Sequence, residues 1–222
     1  MRPARFALYS LLPLFAACQV WKPAPVDTHA QTRVQGELTR QGNDMMFRPC
    51  QEQRHFLLVD GPNGSVARES RDLFADGAAK LFVDVRGGYS GGQSSNTDGK
   101  LEVDTLYRIQ GEGRGCEDPN FKHTIVQAIG NEPAWNVMIN AQGLLLQRPG
   151  KPALVVPYVV ESVPGGSSSY SSEANGEKLE LWVAPTRCVN SMTGAVTQMS
   201  AELRLDNQVM RGCAYPGGAY AE

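Results

Sequence analysis

The stretch A-W-N-V-M-I-N (134–140), A-Q-G (141–143), L-L-L-Q-R (144–148), P-G (149–150) decides the fold. Trp135, Val137 and Ile139 recur at every second position, the period of a half-buried strand. A glycine-bearing turn follows, then a second apolar run and a proline–glycine stop. The same strand–turn grammar recurs around it at 122–129, 153–161, 178–184, 196–206 and 208–213, with turns at Asn175-Gly176 and Asp206-Asn207. Such a series predicts antiparallel β structure, closed or nearly so to remove its edges. The tract V-P-G-G-S-S-S-Y-S-S-E-A-N-G-E (163–177) reads as a long polar hairpin tip.

Composition agrees. Of 222 residues, 23 are Gly and 14 Pro, which disfavours a helical bundle. Lys and Arg number 21 against 23 Asp and Glu, a formal charge of -2, which leaves no basic field for nucleic acid. Upstream of 117–120 (E-D-P-N), strands are expected at 34–39, 45–49, 55–60, 80–86 and 101–109. Ser65 is placed to cap a short amphipathic helix over 66–75, and 87–99 reads as a Gly/Ser/Asn loop. Five strands and one helix resemble a small oligonucleotide/oligosaccharide-binding (OB) type barrel. The expected class is therefore all-β and mainly antiparallel, with two small disulfide-stapled barrel-like domains at 33–118 and 119–218 and a tail at 219–222.

The amino terminus reads as an address. Arg2 and Arg5 precede the apolar run 6–17, which is shorter than the roughly 20 residues of a membrane span. It falls within the ~7–15 of a signal-peptide core. The ending L-F-A-A-C (14–18) resembles the bacterial lipobox, in which a peptidase cuts before a cysteine that carries diacylglycerol. That resemblance implies removal of 1–17, lipidation of Cys18 and a membrane partner through the lipid. Gln19, where an aspartate would resemble an inner-membrane retention signal, favours the outer membrane, with the protein facing the periplasm. Residues 18–32, with two prolines and no periodicity, read as a stalk.

Cys50, Cys116, Cys188 and Cys213 remain. An even number in an oxidising compartment predicts two disulfides with three possible connectivities. Local pairing, Cys50 with Cys116 and Cys188 with Cys213, would contribute roughly 4.4 and 3.5 kcal/mol by loop entropy. No C-x-x-C occurs, so thioredoxin-type redox and Cys₄ zinc sites lack their usual spacing.

Catalytic motifs are thin. G-Y-S-G-G (88–92) matches G-x-S-x-G, but a nucleophile elbow needs a helix directly after the serine. Here Q-S-S-N-T-D-G-K (93–100) follows, so Ser90 is expected in a flexible loop, with an envelope hydrolase using Ser90 kept as an alternative. His29, His55 and His123 form neither H-x-H nor H-E-x-x-H, and no cofactor or metal is expected. Trp135 and Trp182 fall within alternating strands and are expected to fill barrel interiors, with an aromatic ligand platform as the second reading.

From Ile129 onward the chain resembles a family of bacterial envelope proteins. I-G-N-E-P-A-W-N-V (129–137) resembles the signature G-N-E-P-F-W-x-V, C-V-N-S-M-T-G (188–194) resembles C-x-D-S-M-S-G, and R-G-C-A (211–214) resembles a closing G-C-A. Ala134, Asn190 and Thr193 depart from the pattern. The resemblance implies a C-terminal domain similar to the META/HslJ group and a bond between Cys188 and Cys213. V-Q-G-E-L through F-R-P-C (34–50) is similar to the family's first half and, more faintly, to NlpE-type lipoproteins. Within the signature, Glu132 suits a barrel mouth, Trp135 an interior plug, and Asn190-Ser191 an Asx- or Ser-type turn.

The expected function is a non-enzymatic outer-membrane lipoprotein that binds or senses something in the envelope, with Glu132, Trp135 and Tyr170 as candidate binding residues. One specific form is inhibition of a cell-wall hydrolase such as lysozyme, suggested by the S-S-S-Y run (167–170).

Overall fold

The computed structural model describes residues 31–91, 97–176 and 178–219. Cys18, the leader and nearly all of the stalk lie outside them, as do His29, Gly92 and the last three residues.

Apolar alternation builds the first half. Leu38 of β1 (Thr32–Gln41), Phe47 of β2 (Asp44–Pro49) and Phe56 and Leu58 of β3 (Phe56–Asp60) meet in one core. They are joined there by Leu81, Val83 and Val85 of β4 (Leu81–Ser90) and by Leu101, Val103 and Ile109 of β5 (Gly99–Gln110). β1 pairs antiparallel with β2 and β4, β2 with β3, and β3 runs parallel to β5. The β4–β5 ladder then closes a five-stranded barrel. One helix, α1 (Val66–Ala75), follows β3 and sends Val66 and Leu73 into the core. This is the expected OB-like barrel.

Two local expectations are corrected. Ser65 makes no side-chain cap. Asp60, at the end of β3, accepts instead from the backbone N–H groups of Val66 and Ala67, each at 2.9 Å. The expected loop at 87–99 starts late, because β4 continues through Gly87 and Gly88 to Ser90. Gly87 permits this: a Cβ there would overlap the Glu102 carbonyl on β5.

The second half is one antiparallel sheet of nine strands. Its members are β6 (Thr124–Asn131), β7 (Ala134–Asn140), β8 (Gly143–Gln147), β9 (Leu154–Val156), β10 (Val159–Val163), β11 (Ser167–Ser172), β12 (Leu179–Ala184), β15 (Met199–Leu205) and β16 (Gln208–Pro216). The order is β10-β11-β12-β15-β16-β6-β7-β8-β9. β9 and β10 are opposite edges, yet only Pro157 and Tyr158 separate them. Val156 to Val159 can span roughly 10 Å at most, so the sheet curls far enough to bring the end of β9 beside the start of β10. Trp135, Ile139, Leu144, Leu181 and Leu203 fill the concave side. The expected polar tip at 163–177 is corrected too: β11 lies inside it, paired on both sides.

The remaining strands, β13 (Cys188–Val189) and β14 (Val196–Thr197), leave the second sheet and join the first. β14 pairs with Arg108 and Ile109 of β5, beyond the point where β3 ends, and Val196 enters the barrel core. Two arginines reinforce the junction. Arg33 holds Asp84 through Nε at 2.9 Å and Nη2 at 2.6 Å, and also donates to the carbonyls of Pro216 and Gly217, each at 2.7 Å. Arg187 holds Glu69 of α1 through Nε at 2.9 Å and Nη2 at 2.6 Å. That hydrogen bond keeps the Glu69 pKa below its ordinary value despite burial.

Candidate functional site

An open groove of about 660 Å³ runs over the outer face of β12, β15 and β16 and is walled by the 188–191 segment and the β6–β7 turn. Strand alternation puts its side chains there. In β12, Leu179, Leu181 and Val183 face the core, so Glu180 and Trp182 face out. In β15, Ala201, Leu203 and Leu205 are buried, so Ser200, Glu202 and Arg204 share the outward face. The register sets Trp182 opposite Glu202 and Glu202 opposite Arg211. The result is a transverse row of indole, carboxylate and guanidinium across three strands.

Charge is paired along this row. Arg204 meets Glu202 at 2.8 Å and Glu180 at 3.6 Å, and its guanidinium lies 5.3 Å from the Trp182 ring centroid. Arg211 reaches Glu202 at 3.5 Å yet keeps most of its surface exposed. The Trp182 N–H is buried with no hydrogen-bond partner among the described residues. Chemically, the groove offers an aromatic face, forked N–H donors and carboxylate acceptors side by side, a set suited to holding a polar ligand or a polar protein loop.

The two halves of the sequence signature meet at the groove wall. Asn131 Nδ2 donates to Asn190 Oδ1 at 2.9 Å. The same oxygen accepts from the N–H groups of Met192 and Thr193, the expected Asx turn. Beneath them lies the Cys188–Cys213 disulfide, with Cα atoms 5.4 Å apart; the other bridge is Cys50–Cys116. Both are the local pairs.

Glu132 stands exposed on the groove rim, beyond the strand that ends at Asn131. Trp135 is 2% exposed and fills the interior as expected. It packs so closely on Gly130 that a Cβ at that glycine would overlap the indole. Trp182 departs from the interior expectation and faces the groove. Tyr170 also departs from its expected place: it is 7% exposed, sits in β11 and packs edge-on against Tyr158, so it belongs to the core rather than to a loop tip. Ser90 ends strand β4 opposite Lys100 rather than heading a helix. His55 and His123 are exposed at strand starts in different halves. Among the described residues, no group of three or more His, Cys, Asp or Glu is arranged to hold a metal.

Sequence reasoning missed Arg204 and Arg211. The available signal was the charged alternation of 200–206 and the placement of Arg211 within R-G-C-A. No family model, no curated protein and no solved structure matches the chain.

Proposed function

We propose that the chain is an outer-membrane lipoprotein, lipidated at Cys18 and facing the periplasm, whose folded part binds or senses an envelope component through the Trp182–Glu202–Arg211 groove. The observation that carries this reading is the convergence of the signature residues. Asn131 and Glu132 from the first motif, Asn190 and Ser191 from the second, and Arg211 to Cys213 from the third all line one groove. Residues far apart in the chain that share a resemblance and a groove argue for a common ligand-facing task rather than for separate structural ones. The envelope-protein family, with its META/HslJ-like second half, is part of the same proposal and rests on those motifs.

Two measurements test it. Labelling cells with a radioactive fatty acid should tag the protein, and Cys18→Ser should abolish the tag; persistence of the label in the variant removes the anchor. Photoreactive residues placed at Glu132 and Arg211, with exposed Arg71 on α1 as the control, should give a discrete adduct at the groove alone. Equal, diffuse yields at all three positions would sink the groove as the binding surface.

A further inference from the structure

A second cavity, of about 720 Å³, lies on the other side of the Asn131–Asn190 contact, between the outer wall of the barrel and the second sheet. Its sheet wall is the outer face of β6, β7 and β8. Those three strands carry no Asp, Glu, Lys or Arg at any position, whereas β12, β15 and β16 under the first groove present Glu180, Glu202, Arg204 and Arg211. Outward faces usually stay wet through charge; this one does so through carboxamides. Alternation turns Gln127, Asn136 and Gln147 outward, although Asn is disfavoured in strands. Seven of the twenty residues around the cavity are Asn or Gln, against 23 of 222 in the chain, so the concentration belongs to this place rather than to the composition.

These amides are reachable and only partly paired. Gln127 Nε2 donates to Asn136 Oδ1 and, at 3.0 Å, to the Val137 carbonyl, and Asn136 Nδ2 donates to Gln147 Oε1 at 3.3 Å. The bonds run one way along the ladder. They leave the Gln127 side-chain carbonyl at one end and the Gln147 side-chain N–H groups at the other without a partner among the described residues. Gln127 is half-buried and Gln147 exposed; across the cavity, Gln110 is half-buried and Asn120 exposed. Ile129 and Met192, 36% and 74% exposed, add apolar surface beside them. Arg108 belongs to the floor. It is 3% exposed, Tyr215 and Phe82 lie over its guanidinium at 3.9 and 4.7 Å, and its Nε and Nη2 are closed off from the cavity.

The chemistry of the walls narrows the ligand. Glu112 and Asp118 offset Arg114 and Arg108, so the cavity has no surplus charge with which to select an ion. Its sheet wall is a set of strand faces rather than a free edge, so an extended peptide finds no backbone ladder to join there. The match is a molecule whose groups each donate and accept, and which has C–H faces to lay against Ile129 and Met192: the hydroxyl-bearing ring of an uncharged sugar. From the charge-free wall and its carboxamides we infer that this cavity is a second binding site, for a neutral saccharide. Gln127, Asn136 and Gln147 hold hydroxyl or acetamido groups from one side, and Gln110 and Asn120 from the other. The site is distinct from the groove of the proposed function, so either can fail alone.

The test uses the full chain in a detergent without a sugar headgroup, with maltotriose, cellotriose and triacetylchitotriose as neutral saccharides. Glucose and N-acetylglucosamine are the single sugars, and acetyl-Gly-Ser-Gly-amide is the uncharged peptide control. Titration is followed by calorimetry and by the side-chain ¹H–¹⁵N NMR signals of Gln127, Asn136 and Gln147. Saturable binding of at least one saccharide is expected, with shifts of those signals and no saturable binding of the peptide. Tighter binding of a trisaccharide than of its single sugar assigns a glycan segment, and equal affinity a free sugar. Gln147→Leu and Asn120→Ala, at exposed positions, should each weaken binding roughly three- to tenfold through lost hydrogen bonds. Arg211→Gln in the groove should leave it unchanged. Failure of every saccharide to bind, binding that leaves the three amide signals in place, equal affinity for the peptide, or loss of binding in Arg211→Gln alone would overturn the assignment. The amide signals come from the unsubstituted protein, so they decide the matter even if a variant does not fold.

Discussion

The two halves of this molecule handle sheet edges in opposite ways. The barrel closes by pairing β4 with β5, and the stretch of β5 that β3 leaves open is covered by β14 from the second half. The nine-stranded sheet seals nothing; it bends until β9 and β10 approach, with Val155, Val159 and Val160 exposed along those strands. The difference shows where binding surface can arise. A closed barrel of this size has an interior full of side chains, so only its outer wall is free. The curled sheet likewise fills its inside, but its broad outer face and its seam with the barrel supply both cavities described above.

The staples offer the strongest way to break the comparison. Replacing Cys50 and Cys116 by serine should cost about 4.4 kcal/mol of unfolding free energy, and replacing Cys188 and Cys213 about 3.5 kcal/mol. Urea denaturation of the two double variants measures both. A reversed order would show that the shorter loop, which ties the exchanged hairpin back to β16, matters more than chain entropy alone.

Asp84→Asn should cost about 3 kcal/mol, because Asp84 is fully buried and Arg33 would be left charged with a weakened partner. Two of the three tryptophans, Trp135 and Trp182, lie in the second sheet. If the fluorescence transition moves when this barrel residue is changed, the halves unfold as one unit. A transition that stays in place would mean they unfold separately.

Glu69→Gln should cost about 1–2 kcal/mol at neutral pH, the lower end applying because Arg187 is half exposed and screened. The sign with pH follows from the depressed Glu69 pKa. The stabilisation is complete above the unfolded-state value, near 4.5, and is lost as pH falls through the lower folded-state value. Acid should therefore narrow the gap between variant and wild type, and a gap constant from pH 7 to pH 3 would refute the pairing as its source.

Trp182→Ala should have the smallest effect on stability, about 1 kcal/mol or less, since the ring lies on the outer face. It should nevertheless remove the discrete adduct at Arg211. A stability loss comparable to that expected for Trp135→Ala, about 3–5 kcal/mol, would return Trp182 to the core.

Alternation made most strands legible within a residue or two, because apolar contrast reports which face is buried. It failed where contrast is absent. In S-S-S-Y-S-S serines on opposite faces look alike, although Ser172 is buried opposite Leu179 and Ser171 is not. Glycines hid the far end of β4 for the same reason. The helix cap was misplaced because Asp60 reaches it from the preceding strand rather than from the adjacent position. Within the site, Glu132 was legible as part of a motif. Arg108 was not: an arginine at an outward strand position reads as solvated, and only the second sheet closing over it, with Tyr215, makes it buried. The destination of the 188–197 hairpin had no local signal either, since its partner on β5 lies far upstream in the chain.

That hairpin also sets an order of events during synthesis. The barrel strands emerge first, but the stretch of β5 at Arg108 and Ile109 gains its neighbour only when Val196 and Thr197 arrive. Until then a nascent chain carries an unpaired strand edge beside a core missing Val196, the kind of surface on which chaperones act and aggregates begin.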